Sequence, residues 1–213
     1  MVEKSIDIIG GTMKKFFHEY SYSVVKMFIN QLAIAIFGAS LTFATVSAHG
    51  NSNEFDIFTL IVGIFSAGFY LFLIYNVSWE IGAKDKISVD VNKKPYRPYL
   101  GLVLSLLANI PNLILAIVYA ATTFSGAANA QGIVRIICCF VNGMYFSIMT
   151  VVRVFYAGEW IQLQAFWVSF VIAIIPAMLA SGLAYYLGHK NFKFFGFITN
   201  KKPSISQERP NMK

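Results

Sequence analysis

The chain has 213 residues, a formal net charge of +7 and 13% charged residues, against 57% hydrophobic and 16% aromatic residues. A soluble domain carries about 25% charged residues, so the composition excludes a water-soluble globule, which would lack the polar groups to cover its surface. The mean hydropathy of +0.62 indicates a single membrane domain with lipid against much of its outside.

Five apolar runs are long enough, or nearly long enough, to cross a bilayer as helices. They predict an all-α polytopic bundle with a cytoplasmic segment over residues 1–23, a membrane domain over 24–188 and a basic tail over 189–213. The runs are Val24–Ala48, Ile57–Val77, Tyr99–Phe124, Ile133–Tyr156 and Phe166–Gly188.

The longest polar interruption is residues 78–98, which we interpret as a cytoplasmic loop. Within it, Glu80 and Lys84 have the i,i+4 order of a helical turn, whereas the alternation over Ile87–Val91 predicts a short strand. Four residues of this loop are of types that make specific contacts: Trp79, Glu80, Lys84 and Asp85. Two interpretations are open: the four residues dock a cytoplasmic partner, or they cap helix ends and pair with the basic tail.

The third run contains Asn109, Pro111 and Asn112 near its middle. Because proline lacks the backbone N–H and crowds the preceding turn, we expect a helix break there. Small residues also recur at helical spacing in two other runs and predict close helix packing: Gly63 and Ala67, then Ala173, Ala177, Ala180 and Ala184.

The fourth run differs from the others because it carries an arginine near each end. Only seventeen residues separate Arg135 from Arg153, about 25 Å of helix against a hydrocarbon core of about 30 Å. On one continuous helix Arg135, Asn142 and Arg153 would share a face. That face is a candidate groove for an anion or a lipid headgroup; alternatively, both arginines reach the headgroups from the helix ends.

Lys and Arg near span ends favour the cytoplasmic side, and their distribution discriminates between two topologies. If residues 133–156 enter the bilayer without crossing it, fifteen of the seventeen Lys and Arg residues lie inside, with Arg135 and Arg153 outside. The sequence therefore predicts four full spans plus one re-entrant or partial helix, with a cytoplasmic N-terminus. The alternative is five full spans with an external tail.

No catalytic or metal-binding motif is present, so we expect neither an enzyme nor a cofactor. All ten acidic residues are predicted in loops or tails, and the three histidines are far apart in the chain. The adjacent Cys138 and Cys139 match neither a metal site nor a disulfide framework. The basic residues flank apolar runs, which favours anionic lipid headgroups over nucleic acid as partners.

Three segments resemble a set of small bacterial multi-pass membrane proteins to which no activity is assigned: WEIGAKDK (79–86), PYLGLVLSLLANIPNLILA (98–116) and LAYYLGHK (183–190). The resemblance implies a bacterial cytoplasmic membrane. We expect a non-catalytic accessory or scaffold subunit that packs against a partner protein or a second copy. The alternative is a small oligomeric transporter or channel, built around the helix break and the arginine face.

Overall fold

The computed structural model describes residues 2–49, 56–93 and 95–192, with side chains from residue 16 onward except that of His49. The chain is about 82% helical. In chain order the elements are α1 (Val2–His49), α2 (Ile57–Asp90), α3 (Leu100–Ala108), α4 (Ile110–Phe124), α5 (Ala128–Val141), α6 (Gly143–Val151), β1 (Arg153–Tyr156), β2 (Glu159–Gln162), a 3-10 turn (Leu163–Ala165), α7 (Trp167–Ile172) and α8 (Ile174–His189).

Three helical stretches are long and apolar enough to cross a membrane: Phe16–Ala48, Ile57–Asp90 and Trp167–His189. The number rises to five if each of two bent pairs is one span. The α3–α4 pair bends by 55°, and the α5–α6 pair bends by 116°.

Two predicted boundaries differ from the structure. Helix α1 has no break at residue 23, and α2 continues through most of the predicted 78–98 loop. The strand predicted over Ile87–Val91 is therefore wrong, because Ile87 to Asp90 form the last turn of α2. With 34 residues α2 is about 51 Å long, so it extends well beyond a 30 Å hydrocarbon core.

Helices α1 and α2 are antiparallel, while α8 runs parallel to α2. The Tyr20 hydroxyl donates to Asp85 at 3.0 Å, and Lys26 lies 3.8 Å from Glu80. Between α2 and α8 the Ser78 and Ser181 hydroxyls are 2.7 Å apart. We call the end of the bundle that contains Asp85 the Asp85 end.

The α3–α4 pair runs antiparallel to α8, away from the Asp85 end. The Ser181 hydroxyl donates to the Gly101 carbonyl at 2.6 Å, and the Tyr119 hydroxyl donates to the Ala165 carbonyl at 2.9 Å. Where α4 finishes, the rings of Phe124 and Trp167 are 6.3 Å apart. The end of α4 and the start of α7 therefore lie at the same end of the bundle.

The α5–α6 pair begins and ends at that same end. The Gln131 amide contacts the Thr123 hydroxyl at 3.2 Å, and the Cys138 thiol lies 3.6 Å from the Leu115 carbonyl, so α5 runs back along α4 into the bundle. Helix α6 then returns parallel to α1, with the Ser147 hydroxyl 2.5 Å from that of Thr42.

A two-stranded antiparallel hairpin follows α6, and the sequence did not predict it. Strands β1 and β2 pair Arg153 with Gln162 and Tyr156 with Glu159. The connecting residues Ala157 and Gly158 both have positive φ, 53° and 93°, as a two-residue hairpin turn requires. We call this end of the bundle the hairpin end.

Glycines allow two helix pairs to approach until their backbones touch. A Cβ on Gly143 would lie 1.9 Å from the Ala35 carbonyl oxygen, and one on Gly82 would lie 2.2 Å from that of Tyr185. The contacts pack α6 against α1 and α2 against α8. Because the close approach is between backbones, no rotamer change could accommodate a larger residue.

Candidate functional site

The predicted break in the third apolar run is confirmed, and it falls at Asn109. Helix α3 ends at Ala108 and α4 begins at Ile110, with Pro111 in its first turn. The Asn109 amide nitrogen donates to the Ser105 carbonyl at 2.9 Å, and that of Asn112 donates to the Asn109 side-chain oxygen at 3.0 Å. The Ser105 carbonyl thus accepts from both the backbone N–H and the side-chain amide of Asn109, and the two asparagine side chains bond to each other at the break.

A second break lies at Asn142, between α5 and α6, and uses the same device. The Asn142 amide nitrogen donates to the Cys138 carbonyl at 3.0 Å. Residue 143 is a glycine, and its α-carbon faces the Ala35 backbone. The sharp turn therefore combines a capping asparagine with the residue that permits close contact to α1.

The two breaks lie at similar depth. Cys138 lies opposite Leu115, and because α4 and α5 are antiparallel, Asn142 lies one turn further on, level with the turn that begins α4. Tyr70 of α2 is at this depth too: its ring meets that of Tyr145 edge-on at 6.1 Å, and its hydroxyl lies close to the Asn109 side chain.

Around the breaks, several buried polar side-chain atoms have no hydrogen-bond partner among the described residues. We call these residues the mid-depth polar cluster; each is at most 8% exposed. The unpaired atoms are both amide atoms of Gln31, the hydroxyl oxygens of Ser66, Tyr70, Ser105 and Tyr145, and the side-chain oxygen of Asn112.

Each member of the cluster lies either at the depth of the helix breaks or about one helical turn above or below that depth. Ser105 precedes Asn109 by four residues, and Ser66 precedes Tyr70 by four. Gln31 precedes Ala35, the residue that Gly143 contacts, by the same distance. The cluster therefore occupies a band of about two helical turns, on five different helices: α1, α2, α3, α4 and α6.

Unpaired polar groups at this depth are costly. Burying one without a hydrogen bond costs roughly 1–3 kcal/mol by mutational measurements in proteins. In a membrane location, with which the apolar helices are compatible, lipid would supply no water to relieve the cost. The groups are amides and hydroxyls, with neither acid nor base among them. Such a set combines donors with acceptors and suits an uncharged, hydrogen-bonding solute.

Arg135, Asn142 and Arg153 do not share one helix face, so the premise of the predicted groove is wrong. The 116° bend falls at Asn142, and Arg153 is the first residue of β1. Asn142 is buried, Arg135 is exposed and Arg153 is half-buried. Binding of an anion or a headgroup by either arginine remains a prediction.

The predicted docking loop is the last part of α2, and three of its four residues make contacts within the chain. The Trp79 indole N–H donates to the Phe192 carbonyl at 2.9 Å, and Glu80 contacts Lys26. Asp85 is 7% exposed and accepts from the hydroxyl of Tyr185 at 3.0 Å, as well as from that of Tyr20. The expectation that every acid lies in a loop or tail is therefore wrong. Lys84 is exposed, and docking by this segment stays a prediction.

The small-residue faces pack inside the chain. A Cβ on Gly63 would lie 2.9 Å from the Cβ of Ser147 in α6. In α8, Ala177 and Ala184 are fully buried while Ala180 is only half-buried. The buried face continues through Ser181 and Gly188 instead, which the alanine spacing did not indicate.

No family model, curated protein or solved structure matches the chain. Among the described residues, no group of three or more His, Cys, Asp or Glu side chains is arranged to hold a metal ion.

Proposed function

We propose that the chain is a non-catalytic integral membrane protein with four full spans, and that α5–α6 is re-entrant from the hairpin end. The support comes from the direction of the chain. Phe124 and Trp167, which flank the intervening segment, lie together at one end. A segment that leaves and returns at one end does not cross, whereas a fifth span would separate these rings by the thickness of the bundle.

The proposed orientation puts the Asp85 end in the cytoplasm, with both termini there. The Lys and Arg distribution supports it, because four crossings leave only Arg135 and Arg153 at the hairpin end. Exposed aromatic residues of the hairpin suit the opposite interface: Phe155, Tyr156 and Trp160. The resemblance to small bacterial multi-pass proteins supports the bacterial cytoplasmic membrane. Anionic headgroups are the proposed lipid partners on the basic side.

The function we propose is passage of small uncharged polar solutes through the membrane domain, as a transporter or channel. The observation that supports it is the coincidence of two helix breaks with unpaired buried polar groups at one depth. Interrupted helices near the midplane are typical of transporter binding sites. A folding role alone does not explain why the six side chains are polar, since apolar residues of the same shape would not leave unpaired polar atoms.

A scaffold or accessory subunit, as a homo-oligomer or with a partner protein, is the second candidate. The exposed apolar residues of α5 favour it: Ile133, Ile136, Ile137 and Phe140 are 42–66% exposed. Against it, the small-residue faces are occupied by contacts within the chain. The particle mass in mild detergent discriminates, since a strictly monomeric protein without a co-purifying partner contradicts this role.

The transport proposal is tested in proteoliposomes by stopped-flow light scattering, with glycerol and urea as separate probes. Tyr145→Phe removes a hydroxyl that has no partner among the described residues, so we expect an unchanged or higher melting temperature together with about five- to tenfold slower flux, the equivalent of one lost hydrogen bond. Tyr119→Phe is the matched control, because its hydroxyl is bonded to the Ala165 carbonyl and lies outside the cluster.

For Tyr119→Phe we expect the opposite pattern, a lower melting temperature with unchanged flux. Two results would contradict the proposal. One is a rate for both probes that equals the rate of protein-free liposomes. The other is a Tyr145→Phe variant that conducts as fast as the wild type.

A further inference from the structure

A separate cavity lies at the hairpin end, where α1, α5 and α6 meet the turn before α7. Its volume is about 320 Å³, at the small end of the range for ligand pockets. It is lined by Phe43 from α1, Arg135 and Phe140 from α5, Phe146 from α6, and Gln164 from the 3-10 turn. The polar cluster contributes no residue to it.

Most of the described residues that line the cavity are apolar, and Arg135 is the single charged residue among them. The Gln164 amide is already engaged, since its nitrogen donates to the Gln162 side chain at 2.5 Å and its oxygen accepts from the Cys139 thiol at 3.5 Å. Over the described ranges, no carboxylate lies within salt-bridge distance of Arg135. A cation therefore borders an aromatic cavity without a counter-ion from this part of the chain.

The depth of Arg135 fits the boundary between headgroups and hydrocarbon. It lies seven residues after the start of α5, about 10 Å into the bundle from the hairpin end. A guanidinium at that depth is partly removed from water, where an anion bound by charge-assisted hydrogen bonds is stabilising. The neighbouring Phe43 and Phe146 rings, 5.8 Å apart, would contact hydrocarbon.

We propose that this cavity binds an anionic amphiphile, with a carboxylate or phosphate on the Arg135 guanidinium and hydrocarbon against the phenylalanines. The chemistry is shared by a free fatty acid and by an anionic phospholipid. The site differs from the predicted groove, because Asn142 and Arg153 do not line it. It is also independent of the proposed solute passage.

The test measures ligand retention by native mass spectrometry on protein from phosphatidylcholine nanodiscs, with laurate in one arm and phosphatidylglycerol in the other. We expect one molecule bound per chain in at least one arm, and at least about tenfold weaker binding for Arg135→Gln. Ile136→Trp should also weaken binding, because residue 136 lines the cavity yet is 66% exposed, so a larger side chain does not disturb the core.

Arg153→Gln is the matched control, since it removes the other arginine of the hairpin end without touching the cavity, and its binding should equal that of the wild type. Retention of laurate alone assigns a fatty acid, and retention of phosphatidylglycerol alone assigns a phospholipid. The proposal is overturned if neither ligand is retained, if Arg135→Gln binds as tightly as the wild type, or if Arg153→Gln weakens binding equally. Glycerol flux is expected to be unchanged in Arg135→Gln, so the two proposals fail separately.

Discussion

The close contact between Gly143, at the turn from α5 to α6, and Ala35 of α1 predicts that Gly143→Ala destabilises the protein. The added methyl would lie 1.9 Å from the Ala35 carbonyl oxygen and 2.7 Å from its carbonyl carbon. Ordinary contacts are about 3.5 Å or longer, so α6 must move outward by more than 1 Å. Overpacking of this kind costs typically 1–3 kcal/mol, which lowers the melting temperature of a chain this size by about 2–12 °C.

Gly132→Ala is the matched control within α5, because a Cβ there would have no atom of the described part of the chain within 4 Å. Replacing this helical glycine should stabilise the protein by up to about 1 kcal/mol through helix propensity alone. Thermal unfolding in detergent, followed by tryptophan fluorescence, measures both variants. If Gly143→Ala is as stable as Gly132→Ala, the packing of α6 against α1 is refuted.

Three further predictions concern the described core. Asp85→Asn replaces the carboxylate that accepts hydrogen bonds from two tyrosine hydroxyls, so we expect a loss of about 2 kcal/mol or more in the free energy of unfolding. An unchanged free energy of unfolding in denaturant titration would contradict the role of these hydrogen bonds in joining α1, α2 and α8. Ser181→Ala removes bonds to a serine of α2 and to the Gly101 carbonyl, and should cost about 1–2 kcal/mol by the same assay. Cys138 and Cys139 are at most 7% exposed, so a maleimide should modify neither until the protein is denatured, as mass spectrometry would report.

Features that depend on local chemistry were predictable from the sequence. Pro111 cannot complete the helix hydrogen bonding, and the break is indeed at Asn109, two residues earlier. Composition predicted a membrane protein, and the several long apolar helices are compatible with that class. The unusual character of residues 133–156 was visible because arginines flank a short apolar run. The sharp bend at Asn142 was not predicted by that signal alone.

Features that depend on distant contacts were not predictable. A charged stretch after an apolar run is typical of a loop, yet α2 continues through it. Gly82 permits close contact with α8, and Asp85 accepts hydrogen bonds from hydroxyls on two other helices. Tyr20 and Tyr185 lie 65 and 100 residues from Asp85. Helix propensity alone makes Gly82 a residue that weakens a helix, whereas in the bundle it is one of the two glycines at which α2 and α8 approach each other closely, the other being Gly188.

The hairpin and the polar cluster were missed for different reasons. Aromatic and β-branched residues flank Ala157–Gly158 on both sides, a short-range hairpin signal that was available. Its first strand, however, lay at the end of the apparent membrane run Ile133–Tyr156. Gln31, Tyr70 and Tyr145 come from three helices, and only the fold brings them to one depth. Their sequence neighbourhoods contain no motif that would single them out.

The central claim is that the segment between α4 and α7 enters and leaves the membrane on one side. Its most direct test is labelling of single cysteines by a membrane-impermeant maleimide in intact cells, in a background where Cys138 and Cys139 are alanine. Ser125→Cys and Glu159→Cys flank the α5–α6 pair, and both should react in intact cells. Lys93→Cys, at the Asp85 end, should react only after permeabilisation. Reaction of Ser125→Cys and Glu159→Cys from opposite sides of the membrane would contradict the re-entrant account.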